Sequence, residues 1–448
     1  CWRCHTPLLY YGKPTWFVGT RQVKDELLAN NDQVNWYPAH IKTGRFGDWL
    51  QNNVDWALGR DRFWGTPLPV WVCDQCGATE CFGSIEELHR RALPPAPGDT
   101  PSSFELPEVD LHRPYIDQVT VSCTCGGTKR RAPEVIDCWF DSGSMQVAQW
   151  HYPFENHELF QQQHPADYIC EGIDQTRGWF YSLHAIATLL FNKPSFKNCL
   201  CFGHVLDANG QKMSKSKGNV VDPWKIIQGN GADALRWYFY TASPADYPRR
   251  FSEDALKETT RKFALTLWNT YSFFVTYANI DGFDPRKPAP PVSERAPLDR
   301  WILSELHSLI GSVDEDLAGY DMTTPARAIQ VFGENLSNWY VRRSRRRFWK
   351  SEADQDKASA HSTLYECLVT LCKLLAPFQP FTTEEMYQNL VRSWNKEAPE
   401  SVHYCDYPVA DPALIDEKLM AETRLVMRVV AVGHAARNQA GVKVRQPL

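Results

Sequence analysis

The sequence predicts a parallel α/β domain followed by an all-α helical bundle, with a small zinc-bound insertion in the α/β part. Three observations lead to this fold class. Short apolar runs alternate with helical patterns between residues 133 and 240, which is typical of parallel α/β architecture. Beyond residue 251, apolar residues recur at three- and four-residue spacing, which indicates amphipathic helices. Two closely spaced cysteine pairs lie beside glycines between residues 71 and 131, as in zinc sites.

The composition is that of an ordinary soluble protein. The chain has 448 residues, of which 43% are hydrophobic and 23% are charged, and this length predicts two to four domains. No apolar run approaches the roughly 20 residues that span a bilayer, and no targeting pattern opens the chain. We therefore expect no membrane association, a cytoplasmic location and a monomer. The net charge of −5 argues against a protein that wraps nucleic acid over its whole surface, although it allows local basic sites.

The predicted strands of the α/β part place two polar clusters at functional positions. Ligands of parallel α/β folds bind at the carboxyl ends of the strands, and Glu171-Gly172 and Gly203-His204 each follow a predicted strand. We expect the first of these strands to be buried. The elements expected before residue 240 are strands at 15–18, 167–170 and 198–202 and helices at 21–30, 48–58 and 175–191.

The sequence beyond residue 251 predicts helices and no strands. A Lys-Pro-Ala-Pro-Pro stretch at residues 287–291 is expected to be a linker within it. No internal repeat is visible in the sequence. The predicted helical windows are 251–279, 298–317, 324–349, 358–375, 383–394 and 414–438.

The two cysteine pairs predict a structural zinc site. Cys73 and Cys76 form one knuckle and Cys123 and Cys125 form a second, and both lie near glycines. Nothing in the sequence suggests secretion, so a metal is favoured over disulfide bonds, with redox pairs or unused thiols as the alternatives. Zinc would hold together an insertion that we expect to be too small to build its own core.

The remaining cysteines fall into two groups. Cys1 and Cys4 form another C-x-x-C pair, a candidate second metal site whose other ligands would precede residue 1. Cys81 would add a fifth thiol near the first knuckle and is left out of the site. The others lie in apolar or mixed surroundings and are expected to be small buried hydrophobes: Cys138, Cys170, Cys199, Cys201, Cys367, Cys372 and Cys405.

A lysine-rich loop carries the strongest functional signal. Lys212-Met213-Ser214-Lys215-Ser216-Lys217 follows a turn at Asp207–Gly210 and precedes a helix that begins near Asp222-Pro223. Lysines on a mobile loop with serine and glycine suit the binding of phosphates, whose charge grows in a phosphate-transfer transition state. Composition alone leaves a solvated, lysine-rich turn as an equal alternative.

The lysine loop is identified by resemblance. Lys-Met-Ser-Lys-Ser, followed by Gly218–Pro223, matches the second signature of class I aminoacyl-tRNA synthetases letter for letter. The resemblance implies activation of an amino acid by ATP with Mg²⁺ and its transfer to tRNA. It implies that Lys212 and Lys215 are catalytic, and that Met213, Ser214 and Ser216 belong to the ATP loop.

Further motifs resemble the isoleucyl members of that family. Glu171–Phe180 is similar to their adenylate-binding motif, and residues 137–145 and 55–65 agree with the same members. The resemblance implies L-isoleucine, ATP and tRNA(Ile) as substrates. Carried over by position, the implied adenylate contacts and pocket walls are Glu171, Gly172, Asp174, Gln175, Trp139 and Trp179.

Other interpretations of these aromatic and histidine residues are open. A tryptophan in an α/β domain is more often a core residue than a pocket wall, and a structural role is favoured for the single His204. A pocket for isoleucine rejects valine poorly, because one methylene is worth only about 1–3 kcal/mol. Editing is the remedy in this family, and its hydrolytic domain would precede residue 1.

A basic helix is predicted within Asn338–Lys350. Its arginines alternate with aromatic residues, a pattern that can meet phosphates and stack on bases. The alternative is a charged helix face with tryptophan and tyrosine packed inward. As part of a helical anticodon-binding domain, the candidate tRNA contacts are Arg342, Arg343, Arg345, Arg346 and Arg347.

The resemblance divides the chain into four parts. Residues 1–70 are expected to return from the editing insertion, 71–131 to form the zinc insertion, 132–250 to be the second half of a Rossmann-like catalytic domain, and 251–448 to be a truncated anticodon-binding domain. The first class I signature, a His-x-Gly-His cluster, is not found in the sequence. We therefore expect a C-terminal fragment that is inactive alone. A valine-type ligase and a non-catalytic tRNA- or zinc-binding paralogue are the alternatives.

Overall fold

The computed structural model describes residues 6–94, 110–350 and 354–446, so Cys1 and Cys4 lie outside the described residues. The chain forms two compact units, residues 1–202 and 203–448. Among the described residues, no helix is both long and apolar enough to cross a membrane.

The first unit combines small sheets with seven α-helices in its described part. Its strands are β1 Phe17–Val18, β2 Asn35–Tyr37, β3 Trp56–Ala57, β4 Gly59–Arg60, β5 Val70–Cys73, β6 Thr79–Cys81, β7 Thr120–Ser122, β8 Thr128–Arg131, β9 Val135–Ile136, β10 Ala166–Gly172 and β11 Phe196–Phe202. Its helices are α1 Lys24–Asp32, α2 His40–Thr43, α3 Arg45–Gln51, α4 Ile85–Arg91, α5 Cys138–Ala148, α6 His157–Gln163 and α7 Trp179–Phe191.

A parallel sheet lies at the centre of the first unit, as the sequence predicts. Its strand order is β10-β11-β2, with Ala166 opposite Phe196 and Asn198 opposite Asn35. Helix α7 connects β10 to β11. Because its side chains are apolar on nearly all sides, most of them are buried. The expected burial of β10 is wrong for its first half, since Tyr168 is exposed. In the described part of the chain, β10 is an edge strand, so one of its two edges has no strand partner.

The predicted helix over residues 48–58 is only half right. Helix α3 ends at Gln51, and the chain continues into β3, which pairs antiparallel with β1 through Val18 and Trp56. Helical periodicity is too weak a signal to outweigh tertiary pairing over so few residues. The Trp56 indole donates to Asp137 Oδ2 at 3.1 Å. This hydrogen bond and the pairing with β1 hold Trp56 in place.

The insertion builds a core of its own, which corrects the expectation that it is too small to do so. Its four strands form an antiparallel sheet in the order β6-β5-β8-β7, with α4 packed beside it. Trp71 is 1% exposed and donates from Nε1 to the Val119 carbonyl at 2.8 Å. Aromatic side chains such as Trp71 and Phe82 bury enough area to make a small cluster possible without help from the main core.

The second unit begins with a short strand pair and continues as helices. Strand β12 Val205–Leu206 pairs parallel with β13 Arg249–Arg250. Its helices are α8 Pro223–Asn230, α9 Ala232–Thr241, α10 Glu253–Lys262, α11 Ala264–Asp281, α12 Pro297–Ala318, α13 Thr323–Asn335, α14 Arg342–Trp349, α15 Gln355–Leu375, α16 Pro380–Tyr387 and α17 Glu417–Gln439.

The helical prediction holds for the second unit, with two differences. The window 251–279 is broken at Phe263, whose buried ring stacks on Trp237 at 4.2 Å between centroids. The window 324–349 is continuous but passes through a π-helical segment, Leu336–Val341, a local widening that is often found at functional sites. One large apolar core joins these helices.

Candidate active site

The motif at residues 171–180 forms the turn that joins β10 to α7. A 3-10 segment spans Ile173–Arg177. Asp174 is exposed within it, and Glu171 is exposed just before it. The Gln175 side-chain oxygen accepts the Trp179 backbone N–H at 3.0 Å and so caps the first turn of α7. Its amide nitrogen is the remaining polar group for a ligand. The polar cluster therefore lies at the carboxyl end of a parallel strand, as predicted.

Trp139 and Trp179 both lie next to this turn. Trp139 is 41% exposed on α5, and the Trp179 indole donates to the Ser142 carbonyl at 3.1 Å. A Cβ added at Gly178 would lie 3.2 Å from the Trp139 ring and 2.6 Å from Gln175 Oε1. The structure thus brings together Trp139, Gln175 and Trp179, and it adds Gly178, which the sequence did not single out.

Helices α5 and α7 pack closely enough to exclude a single methyl group. A Cβ at Gly143 would lie 2.9 Å from the backbone carbon, the carbonyl oxygen and the Cβ of Ser182. Cys138, expected to be buried, is exposed. It is the first residue of α5, ahead of the turn that packs on α7, so its side chain has no core to enter.

Asp137 connects two segments that are distant in sequence. Its carboxylate is 4% exposed and accepts from Arg60 Nη2 at 2.7 Å, as well as from the Trp56 indole. It also caps α5 through the Trp139 N–H at 3.3 Å. A buried carboxylate with three donors is well satisfied, so it fixes the backbone from which Trp139 projects.

The lysine loop lies in the second unit. Lys212, Lys215, Ser216 and Lys217 are exposed, whereas Met213 and Ser214 are half-buried. Residues 215–217 form a 3-10 turn that Ser214 Oγ caps by accepting the Lys217 N–H at 3.3 Å. The loop therefore has a defined, hydrogen-bonded backbone conformation, and its lysine side chains are exposed to solvent.

Asp207, in the predicted turn, and Asn219, in the signature, were assigned no role from the sequence, and they hold this loop together. Asn219 Nδ2 donates to Asp207 Oδ2 at 2.8 Å, and Asn219 Oδ1 accepts the Ser214 N–H at 2.9 Å. The Asn219 amide first, and then the backbone N–H groups of Gln211 and Asn209, hold the pKa of the Asp207 carboxyl below its usual range. The spacing of twelve residues between Asp207 and Asn219 carries no periodic signal, so sequence patterns could not have paired them.

The four predicted zinc ligands converge. Cys73, Cys76, Cys123 and Cys125 place their sulfurs within 4.8 Å of one another, with Cys73–Cys125 at 3.5 Å and Cys76–Cys123 at 3.7 Å. Sulfurs at the corners of a tetrahedron with metal–sulfur bonds of about 2.3 Å are about 3.8 Å apart. The donor set and its geometry therefore fit zinc.

Backbone N–H groups favour the thiolate form at two of these four cysteines. The Cys76 and Gln75 N–H groups lower the pKa of the Cys73 thiol, and the Cys125 N–H lowers the pKa of the Cys123 thiol to about 6. Since metals bind the thiolate form, these donors favour the state that coordinates. At Cys125 the Gly127 N–H lowers the pKa, but the three neighbouring sulfurs outweigh it and raise the pKa to about 12. A Cβ at Gly127 would lie 2.9 Å from the Cys73 sulfur, so the second knuckle needs a glycine there.

The arginines of α14 divide into two kinds. Arg342, Arg343, Arg345 and Arg346 are exposed, and the Arg343 guanidinium lies 3.4 Å from the Trp339 ring centroid. Arg347 instead forms a buried ion pair within the bundle. Tyr340 is buried beside it, as the alternative of an inward-packed tyrosine requires, whereas Trp349 is exposed.

Family models assign both halves of the chain. The model for tRNA synthetases class I (I, L, M and V) matches residues 8–249. The chain belongs to this family. The model for the anticodon-binding domain of tRNA ligase matches residues 299–448.

Curated relatives are similar over the whole chain. The isoleucine–tRNA ligase of Dehalococcoides mccartyi is 58% identical over 100% of the chain and 44% of its own length. The isoleucine–tRNA ligase of Thermus thermophilus is 56% identical over 100% of the chain and 42% of its own length. The synthetase chain therefore spans less than half the length of the curated relatives it matches.

Solved structures show the same fold at low identity. An Agrobacterium radiobacter LeuRS in a ternary complex with tRNA and LeuAMS is 20% identical, with a TM-score of 0.58 over 84% of this chain and 46% of that one. A Mycobacterium tuberculosis methionyl-tRNA synthetase in complex with methionyl-adenylate is 19% identical, with a TM-score of 0.61 over 90% of this chain and 71% of that one. The fold class predicted for the synthetase is confirmed.

Proposed function

We propose that the chain is part of an isoleucine–tRNA ligase, which joins L-isoleucine to tRNA(Ile) through isoleucyl-adenylate. The observation that carries the proposal is 50–58% identity to isoleucine–tRNA ligases over the whole chain. The clustering of Trp139, Gln175 and Trp179 at the end of β10 supports it. The valine-type and non-catalytic alternatives have no comparable support.

In the proposed reaction, the lysine loop handles the phosphates of ATP. The isoleucine carboxylate oxygen attacks the α-phosphorus of the Mg²⁺–ATP complex, the bond to the bridging oxygen breaks, and pyrophosphate leaves. Lys212 and Lys215 would stabilise the charge that grows on the leaving group, with Met213, Ser214 and Ser216 shaping the loop around ATP. One charge-assisted hydrogen bond contributes about 1.5–3 kcal/mol, or roughly 10- to 100-fold in rate.

The turn at the end of β10 would bind isoleucyl-adenylate. Exposed carboxylates at Glu171 and Asp174 suit the ammonium group and ribose hydroxyls, and the Gln175 amide nitrogen is oriented by the bond that its oxygen makes to α7. Gly172 has no atom within 4 Å of an added Cβ, so the backbone there is open to a ligand. The indoles of Trp139 and Trp179 would flank the branched aliphatic side chain.

Zinc and tRNA complete the proposal. Zn²⁺ held by Cys73, Cys76, Cys123 and Cys125 would have a structural role, because four protein ligands leave no open position for a substrate. In the bundle, the exposed arginines of α14 would contact tRNA phosphates. Arg347 is removed from the proposed contacts, since its guanidinium already binds Asp299.

A chimera tests the activity. This chain would replace the segment of the Dehalococcoides mccartyi ligase that it matches, and isoleucine-dependent exchange of pyrophosphate into ATP would be measured. We expect exchange with isoleucine, and a loss of at least 10-fold in kcat for Lys215→Ala. Lys225→Ala, at an exposed position on α8, is the matched control. A folded chimera that is inactive with isoleucine, or equally active with valine, would contradict the proposal.

A further inference from the structure

The lysine loop is closed by a single side chain at its far end. Asn219 makes three contacts: it donates to Asp207 Oδ2 at 2.8 Å and to the Lys212 carbonyl at 3.4 Å, and it accepts the Ser214 N–H at 2.9 Å. These contacts span the segment that carries both catalytic candidates. Asn219 is half-buried, while the lysines between its contacts are exposed.

Asp207 anchors the near end of the loop. Its Oδ1 accepts the N–H groups of Asn209 at 2.9 Å and Gln211 at 2.8 Å, which fixes the turn that leads into Lys212. Its Oδ2 accepts only the bond from Asn219 in the described contacts of that atom. One carboxylate therefore holds the turn with one oxygen and the end of the loop with the other.

We infer that Asp207 and Asn219 act together as positioning residues, which hold Lys212 and Lys215 in the conformation that binds the phosphates of ATP. The inference rests on the proposed function. Without the pair, the loop would have to be ordered by ATP itself, and that ordering costs free energy at each turnover. Small displacements of a catalytic group lower rates by up to about 100-fold, so the pair should affect kcat although neither residue touches a reacting atom.

The donor and the acceptor of the Asn219–Asp207 hydrogen bond can be exchanged between the two positions, which tests the inference directly. In the double variant Asp207→Asn/Asn219→Asp, the new amide oxygen still accepts from residues 209 and 211, and its NH₂ donates to the new carboxylate. That carboxylate still accepts the Ser214 N–H. The long contact to the Lys212 carbonyl, at 3.4 Å, is replaced by one between two acceptors, so full recovery is not required. Each single exchange, in contrast, removes the complementarity: Asp207→Asn places two NH₂ groups opposite each other, and Asn219→Asp places two carboxylates opposite each other.

Pyrophosphate exchange by the chimera measures the effect on catalysis. We expect each single exchange to lower kcat or raise the KM for ATP, by 10- to 100-fold in combination, with the KM for isoleucine changed less than twofold. The double exchange should recover most of that loss.

Cleavage by trypsin measures the loop without any need for activity. In the full chain, Asn219→Ala should increase the rate of cleavage after Lys212, Lys215 and Lys217 by several-fold, as identified by mass spectrometry. Asn209→Ala is the matched control, because the exposed side chain is removed and the backbone N–H that binds Asp207 remains.

The outcomes separate the inference from the proposed function. If the unmodified chimera fails to use isoleucine, the proposed function is wrong, and the trypsin result alone decides whether the pair orders the loop. If the chimera is active but the losses of the two single exchanges simply add in the double variant, the inference is overturned. Unchanged cleavage of Asn219→Ala would overturn it as well.

Discussion

Arg347 and Asp299 form a bidentate ion pair inside the helical bundle. Arg347 Nη1 lies 2.8 Å from Asp299 Oδ1, and Nη2 lies 2.6 Å from Oδ2. Asp299 is fully buried and also accepts from the Tyr340 hydroxyl at 2.6 Å. The pair joins α14 to α12. It distinguishes Arg347 from the exposed arginines that precede it on the same helix.

This pair predicts opposite effects for two neighbouring arginines. Arg347→Ala should lower the free energy of unfolding of the helical unit by about 3–5 kcal/mol, because it leaves the Asp299 charge buried without its partner. Arg346→Ala should change that free energy by less than about 0.5 kcal/mol and instead weaken tRNA binding. Urea denaturation followed by circular dichroism, and tRNA binding at two salt concentrations, check the pair of outcomes. A stable Arg347→Ala variant with weak tRNA binding would restore Arg347 to the proposed contacts.

The cysteine cluster predicts bound zinc in a tetrahedral thiolate site. Metal analysis of chain purified without chelator should find zinc, and Co²⁺ replacement should give the absorption of tetrahedral thiolate coordination. Cys123→Ser should abolish both signals and destabilise the two cysteine knuckles, which the metal would hold together, while the apolar core around Trp71 remains. Cys81→Ser is the control, since burial raises the pKa of that thiol and keeps it protonated. Retention of the metal by Cys123→Ser would rule out this ligand set.

Buried His184 predicts acid sensitivity of the first unit. Burial lowers the pKa of His184 to about 4, and its Nε2 donates to the Leu27 carbonyl at 2.8 Å. Nδ1 has no partner among the described residues, so a proton there would be buried unpaired. Because the unfolded histidine titrates near 6.5, the unfolded state takes up the proton first, and stability falls as the pH drops from about 6.5 to about 4.

The measurement compares His184→Gln with the unchanged chain. The full loss from this one group is about 3 kcal/mol, superimposed on that from the carboxyl groups. Thermal unfolding between pH 7 and pH 4 should show a smaller decline for His184→Gln, even if its stability at pH 7 is lower. Parallel declines for the two proteins would show that His184 does not titrate as its burial requires.

We expect a side chain at Gly178 to weaken the binding of isoleucine. The methyl group of Gly178→Ala would meet Gln175 Oε1 at 2.6 Å and the Trp139 ring at 3.2 Å, so both proposed pocket residues must move. In the chimera we expect the KM for isoleucine to rise by about 10-fold or more, with a smaller change in the KM for ATP. Gly83→Ala, whose added Cβ has its nearest neighbour at 3.7 Å, is the control. Equal KM values would separate Trp139 and Gln175 from isoleucine binding.

The sequence predicted those features that depend on local pattern. The strand, turn and helix around Glu171–Phe180 follow from apolar runs that end in polar residues, and the helices beyond residue 251 follow from their spacing. The four zinc-ligand candidates follow from two knuckles. Each of these signals is carried by residues that are close together in the chain.

The sequence could not predict contacts between distant segments. Trp56 belongs to a strand because β1 is available to pair with it, and Asp137 is buried because Arg60 and Trp56 both donate to it. The division of the arginines on α14 depends on Asp299, which is 48 residues away from Arg347. Such partners are set by tertiary packing, which periodicity does not record.

Under the proposed function, the contact at Gly143 limits how the amino acid selectivity of the Trp139–Trp179 site can change. Helices α5 and α7 touch without room for one carbon atom, and one carries Trp139 while the other begins with Trp179. The two indoles are thus mounted on a rigid frame whose width is fixed. A larger or smaller substrate could be accommodated by trimming or exchanging a ring, but not by sliding the helices apart, so redesign of this pocket should begin with the aromatic side chains and leave the glycine untouched.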